Sequence, residues 1–307
     1  MTASAGFVAS APPRATAAAV SLDASRAYCR DVTRRQARNF YYGLRLLPEP
    51  KRSSMYALYA YMRLLDDIAD ADDGRSVARR LDDLATWQQQ THDAVAGRTP
   101  DAAHPLWPAF VDMARRHDVP QRCFDDAIAG QRQDLQPRPF DTFDDLREYC
   151  RQVAGVVGVA SIYVWGFDGG AETEQLALDR GLAFQLTNIL RDLREDAANG
   201  RCYLPQCELA GCDLSTHLDR PEEAGQPFAA FMDVQIDRAR SYYASSADLE
   251  RRIAADSRPT LVAMTCIYRG LLDRISADPA RVLRERVRLS LLTKLRIGWR
   301  ATRSNRA

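Results

Sequence analysis

The sequence predicts an all-α fold, and three observations predict it. From Leu22 onward, apolar residues recur at the three-to-four spacing of a helix face almost without interruption. Alternating runs closed by N-G or D-G turns, the mark of strands and hairpins, are scarce. The breaks between helical stretches are short, so successive helices pack as neighbours in one bundle. With 307 residues, 46% of them hydrophobic, the chain can bury a sizeable core.

In chain order, residues 1–21 read as a flexible Ala/Ser-rich leader. Pro12, Pro13 and Arg14 interrupt it and no basic start precedes it, which makes it a poor secretory signal. Residues 22–307 read as one helical-bundle domain of about eight to ten helices around a central apolar pocket. Breaks are expected at "LLPEP" (46–50), "GRTPDAAHP" (97–105), "QPRPF" (136–140), "FDGG" (167–170), "NGRCYLPQ" (199–206), "DRPEEAGQP" (219–227) and "DSRP" (256–259). Stretches 54–65, 153–165 and 181–190 are apolar nearly all round and belong in the middle of such a bundle. A charged side chain there needs a partner or a metal.

Composition narrows the function classes. A net charge of +1 gives no field for nucleic acid, and no run of about 18 apolar residues spans a membrane. Seven cysteines, an odd number, point to reduced thiols in a cytoplasm-like compartment. Cys202, Cys207, Cys212 and His217 recur every five residues, but no second knuckle follows, so packing explains them better than zinc.

Two acidic helices carry the chemistry. In "SSMYALYAYMRLLDDIAD", Tyr59, Arg63, Asp66 and Asp70 fall on a single stripe, while Asp67 points away from its centre. Asp66 and Asp70, one turn apart, repel one another unless a cation such as Mg²⁺ sits between them and substrate phosphate oxygens. In "GLAFQLTNILRDLREDAANGRCYLP", Gln185, Asn188, Asp192 and Asp196 share a second face, with Arg191 and Arg201 placed for diphosphate oxygens. Gly181 lies one turn earlier, where a missing side chain leaves room for a ligand. The two ladders describe a pocket for two or three Mg²⁺ ions. Their spacing fits chain-elongating prenyl transfer, terpene cyclisation and head-to-head joining of two prenyl diphosphates alike; a helical scaffold without chemistry has no use for either ladder.

The surrounding motifs discriminate. "YAYMRLLDDIAD", "YCRQVAGVVG" (149–158) and "QLTNILRDLREDAANGRCYLP" closely resemble the squalene/phytoene synthase family, collinear from about Tyr28 to the C-terminus. The resemblance implies an isoprenoid-synthase helical fold and condensation of two identical allylic diphosphates through a cyclopropylcarbinyl diphosphate. Phytoene from geranylgeranyl diphosphate, or a squalene-type C30 product from farnesyl diphosphate, would follow; the alternative is a presqualene diphosphate synthase that stops at the cyclopropyl stage. It further implies that Asp66, Asp70, Asn188 and Asp192 ligate Mg²⁺, with Asp196 in support. Tyr59, Arg63, Gln185, Arg191, Arg201 and Tyr203 are then expected around the diphosphate or reacting carbons, Tyr149 as catalytic and Tyr268 in the pocket. Val153, Val156 and Ala160 share the Tyr149 face and should line a tunnel. Where the family often has S-K-[ST]-F, this chain has Ala37-Arg38-Asn39-Phe40, and Arg38 keeps a positive charge for substrate. No G-x-G-x-x-G occurs, but reductive family members bind NADPH without one, so NADPH use stays open.

Finally, residues 281–307 carry nine Lys/Arg against Glu285 alone. Arg281–Arg300 interleaves these with Val282, Leu283, Val287, Leu291, Leu292, Leu295 and Trp299. Either this amphipathic segment rests on the inner face of an anionic membrane, or its apolar side packs on the bundle.

Overall fold

The structure, a computed structural model, describes residues 19–37, 39–70, 73–209, 212 and 214–304, with the side chains of Asn39, Asp70 and Ser304 outside the described set. The leader therefore lies largely outside it, as do Arg38 and the Asp70 side chain. The helices are α1 (Leu22–Gln36), α2 (Asn39–Leu44), α3 (Lys51–Asp70), α4 (Val77–Val95), α5 (Trp107–His117), α6 (Gln121–Leu135) and α7 (Phe143–Cys150). A π-helical turn (Arg151–Gly155) leads into α8 (Val156–Trp165) and then α9 (Gly170–Ala198). After it come α10 (Leu214–Asp219), α11 (Gln226–Ser245), α12 (Leu249–Arg252), α13 (Arg258–Ala277) and α14 (Leu291–Ser304). Short pieces such as α2, α10 and α12 raise the number above the expected eight to ten. No strand forms among the described residues; one isolated bridge joins Phe167 to Ile253.

Local chemistry sets the boundaries. Ser21 caps α1 through the Ala24 amide, and Ser76 caps α4 through that of Arg79. Thr142 and Asp145 form a reciprocal capping box on α7. Gly169, at φ +85°, opens α9 at the expected "FDGG" break. At 29 residues, α9 is about 44 Å long and crosses the whole molecule.

Two apolar clusters fill the interior. One centres on Tyr61, Trp107, Phe110 and Phe124, the other on α9, α11, α13 and residues 282–289. Phe40 and Phe184 pack against both. The basic C-terminal segment divides here, against expectation. Val282, Leu283, Val287 and Leu289 are buried in the second cluster, and only α14 continues as an exposed helix. No helix of the described residues is long and apolar enough to cross a membrane. None of the seven cysteines forms a disulfide.

Gly181 lines the main cavity and has a second purpose that was not expected. A Cβ there would stand 2.5 Å from the Ala154 carbonyl oxygen and 2.7 Å from the Gly155 Cα, so its absence lets α9 touch the π-turn backbone. A Cβ on Gly158 would stand at the same 2.5 Å from the Ala177 carbonyl oxygen. Gly181→Ala should therefore destabilise the protein by about 1–3 kcal/mol, the usual cost of overpacking. Gly298→Ala on α14, where the added carbon meets open space, should be neutral or stabilising. Thermal unfolding followed by circular dichroism separates the two; equal midpoints would refute the backbone contact.

A candidate active site between two acidic helices

A cavity of about 230 Å³ runs between α3, α8 and α9. Its polar end holds Tyr59, Asp66, Gln131, Gln185 and Asn188, and its walls include Met55, Leu58, Val157, Ile162 and Met264. Thus Asp66 from the first ladder and Gln185 and Asn188 from the second share one space, as the two-helix arrangement requires. Gln131 of α6 donates to the Asp66 carboxylate at 2.7 Å. The Asn188 Oδ1 is buried with no hydrogen-bond partner, while its amide nitrogen lies 3.5 Å from Gln185. A buried carbonyl oxygen without a donor is costly, and a hard cation is what would satisfy it. Among the described residues no three acidic, His or Cys groups converge closely enough to hold a metal alone. Any cation here would take much of its coordination from ligand oxygens or water.

Asp192 and Asp196 continue the ladder one and two turns beyond the cavity mouth. Asp192 is held by two guanidinium groups: Arg191 at 2.8 and 2.5 Å, and Arg286 at 2.8 and 3.0 Å. Arg286 also reaches Glu195 at 2.9 Å. Burial, followed by the charges of Asp192 and Glu195, pushes the Asp196 carboxyl up to about 7. This is an oxygen set short of positive charge. Beside it, Arg34, Arg191, Arg286, Arg288 and Lys294 line a recess of about 440 Å³ together with Tyr41 and Tyr42. Among the described residues no acidic side chain lines that recess, which suits it to an anion.

The aromatic residues divide between two spaces. Tyr59 lines the main cavity, where burial raises its hydroxyl to about 12 and keeps it protonated. Tyr268 is buried, stacked on Phe184 at 4.4 Å and near Phe40 at 5.5 Å, with its hydroxyl beside Asn188 and Arg191. Tyr149 does not line the main cavity. It faces a neighbouring recess of about 200 Å³, stacks on Tyr203 and donates to the Asp134 carboxylate at 3.0 Å. Tyr203 reaches the same carboxylate at 3.4 Å, and Arg201 completes the recess. Burial, then the Asp134 charge, raises the Tyr149 hydroxyl well above its usual value.

Three site expectations change. Val153 lines the cavity, but Val156 and Ala160 are core residues and Val157 and Ser161 take their places. The π-turn at Arg151–Gly155 is the cause: its wider turn rotates every later side chain relative to Tyr149. Arg63 pairs with Asp67 at 2.5 Å instead of standing over Asp66, because i,i+4 is the nearest opposite charge along the helix. Asp134, Gln131 and Arg286 were missed. "GQRQDL" did carry a signal, since Gln131 is a polar residue on the buried side of α6; Arg286 was hidden in a run of arginines.

In the cavity wall, about 12 Å along α9 from Asn188, lies Arg180, 3% exposed. It pairs with Glu250 at 2.6 Å and is held by Ser246 and Thr265.

The profile of the squalene/phytoene synthase family matches residues 33–293, most of the length of the chain. The chain belongs to the squalene/phytoene synthase family. It is 35% identical over 295 residues to the 15-cis-phytoene synthase of Synechococcus elongatus, covering 92% of this chain and 94% of that one. It is 36% identical to the phytoene synthase of Mycobacterium tuberculosis, covering 89% of each. Among solved structures, a dehydrosqualene synthase bound to a ligand superposes with a TM-score of 0.82 at 27% identity, covering 93% of this chain and 98% of that one. A squalene synthase from Alicyclobacillus acidocaldarius superposes at 0.74 and 25% identity, over 83% and 94% of the two chains. The protein is accordingly a transferase of prenyl groups, and the all-α fold is that of the family.

Asp134→Ala should leave the buried Tyr149 hydroxyl without its acceptor and destabilise the protein by about 1–3 kcal/mol. Tyr149→Phe in that background should then cost less than in wild type. Additive losses in the double-mutant cycle would refute the coupling.

Proposed function

We propose that the protein joins two identical allylic prenyl diphosphates head to head, with Mg²⁺, through a cyclopropylcarbinyl diphosphate. Geranylgeranyl diphosphate giving phytoene is the preferred pair, because relatives matched over nearly their whole length are phytoene synthases. Farnesyl diphosphate giving a C30 product is the alternative. One observation carries the proposal. A mainly apolar cavity reaches Asp66 and Asn188 from two facing helices, and a recess lined by cations adjoins them.

Each part has work to do in that reaction. The apolar walls take the prenyl chains and exclude water, which would otherwise capture an allylic cation. Arg191, Arg286, Arg288 and Lys294 draw the negative charge of a departing diphosphate toward their recess. Asp66, Asn188 and Asp192, with Asp196 in support and Asp70 continuing the α3 stripe, supply oxygens for Mg²⁺, whose charge would offset that of the leaving group. The rings of Tyr59, Phe184 and Tyr268 present π faces near the cavity, where they stabilise positive charge without carrying a base. The Tyr149–Asp134–Tyr203 set would serve as a proton acceptor, with Asp196 of the ladder close enough to act on the Tyr203 hydroxyl. Contact with a membrane belongs to the same proposal, because the product is a hydrocarbon; NADPH would enter only where the second step ends by hydride capture.

Purified protein given Mg²⁺ and either geranylgeranyl or farnesyl diphosphate, with and without NADPH, should release a C40 or C30 product identifiable by mass. No head-to-head product from either substrate would overturn the proposal. Asp66→Asn and Asp192→Asn should each lower turnover by about 10²-fold or more while the helical circular dichroism stays unchanged. Full activity in either variant would remove that residue from the metal set.

A further inference from the structure

We propose that one face of α14 docks on an anionic lipid surface; this names the partner and the surface for the membrane contact in the function proposed above. The described residues expose six large apolar side chains, and four of them stand on this one helix: Leu291, Leu292, Leu295 and Trp299. At 100° per residue the four fall within an arc of about 100°. Leu292 is 80% exposed and Trp299 57%. Arg303, Arg296 and Arg300 occupy the next arc of about 60°, and Arg303 lies over the Trp299 ring. The opposite side is already used: Ala301 is buried and Ile297 packs on the second core cluster.

So α14 has two separate apolar sides, one spent on the bundle and one facing solvent. The charge pattern decides what the second side meets. No acidic residue follows Glu285 anywhere in the sequence. A second copy of the same face would bring arginines against arginines, whereas a leaflet with anionic headgroups accepts both the cations and the leucines. Trp299 beside Arg303 fits the boundary between acyl chains and headgroups. The first turn of the helix also contributes Leu291 and Lys294 to the cation-lined recess, so docking would set that recess at the lipid boundary.

The C-terminal segment before α14 is core, so truncating 281–307 would test folding and not docking. Substitutions on the exposed face avoid this. The full chain is mixed, without substrate, with phosphatidylcholine vesicles and with vesicles holding about one-third phosphatidylglycerol. Sedimentation and tryptophan emission are read together. Trp87, Trp107 and Trp165 are buried, so a vesicle-induced blue shift reports Trp299. Binding and a blue shift are expected with anionic vesicles and should weaken as salt is added. Leu292→Glu should cut binding about tenfold or more and abolish the shift. Arg296→Gln and Arg300→Gln should each weaken it roughly fivefold. These variants should keep product formation on substrate dispersed in detergent, which separates docking from the chemistry: absent product would overturn the synthase assignment and leave vesicle binding as it was. Three results would overturn the docking proposal: no blue shift with anionic vesicles, equal binding to both vesicle types, or a dimer on size exclusion that Leu292→Glu converts to monomer.

Discussion

Backbone-to-backbone contact between α9 and the π-turn ahead of α8 is the constraint on which the site depends. Gly181 leaves no Cβ between α9 and the π-turn, and Gly158 leaves none between α8 and α9, so the helices approach more closely than side chains permit. That approach brings Gln185 and Asn188 of α9 to the end of the same cavity that Asp66 reaches from α3. The turns of α9 beyond Asn188 then carry Asp192 and Asp196 past the cavity, with Arg191 reaching the cation-lined recess beside them. A bulkier residue at either glycine would move the oxygen ladder as a unit, and with it the position of every group that faces it.

Charge in the site is separated in space and balanced only locally. Asp192 is neutralised by Arg191 and Arg286, while Asp196 two turns past Asn188 carries the raised carboxyl of a crowded acidic group. The cations outnumber the acids in the adjoining recess. A dianionic ligand and divalent cations arriving together would correct both imbalances at once, since Arg286 is then free to turn from Asp192 toward the anion. Binding of either component alone would leave a charge uncompensated, which in the proposed reaction would favour joint uptake.

Much of this was legible in the sequence because it depends on one-dimensional periodicity. Helix boundaries followed from caps, glycines and prolines, and the two oxygen ladders followed from i,i+4 spacing on strongly apolar helices. What failed involves either a change of period or a partner far away in sequence. The π-turn adds no residue-type signal, yet it moved Tyr149 into a second recess and replaced Val156 and Ala160 with Val157 and Ser161 on the cavity wall. Asp134 meets Tyr149 and Tyr203 only through tertiary packing of α6. The basic C-terminal run read as one amphipathic helix, but Val282 and Val287 are core while Leu292 is not, a distinction that a helical wheel cannot make across a break in the helix.

The Arg180–Glu250 pair has its own consequence for the shape of the guest. Its bonds to Ser246 and Thr265 leave the guanidinium no alternative position, and moving it would strand a buried charge. The cavity therefore has one charged group fixed in its wall, about 12 Å along α9 from Asn188. That part of the wall holds its place, and the girth yields instead where the pliable side chains of Met55 and Met264 stand. A guest that needs more width gains it at the methionine-lined flank and not beside the arginine.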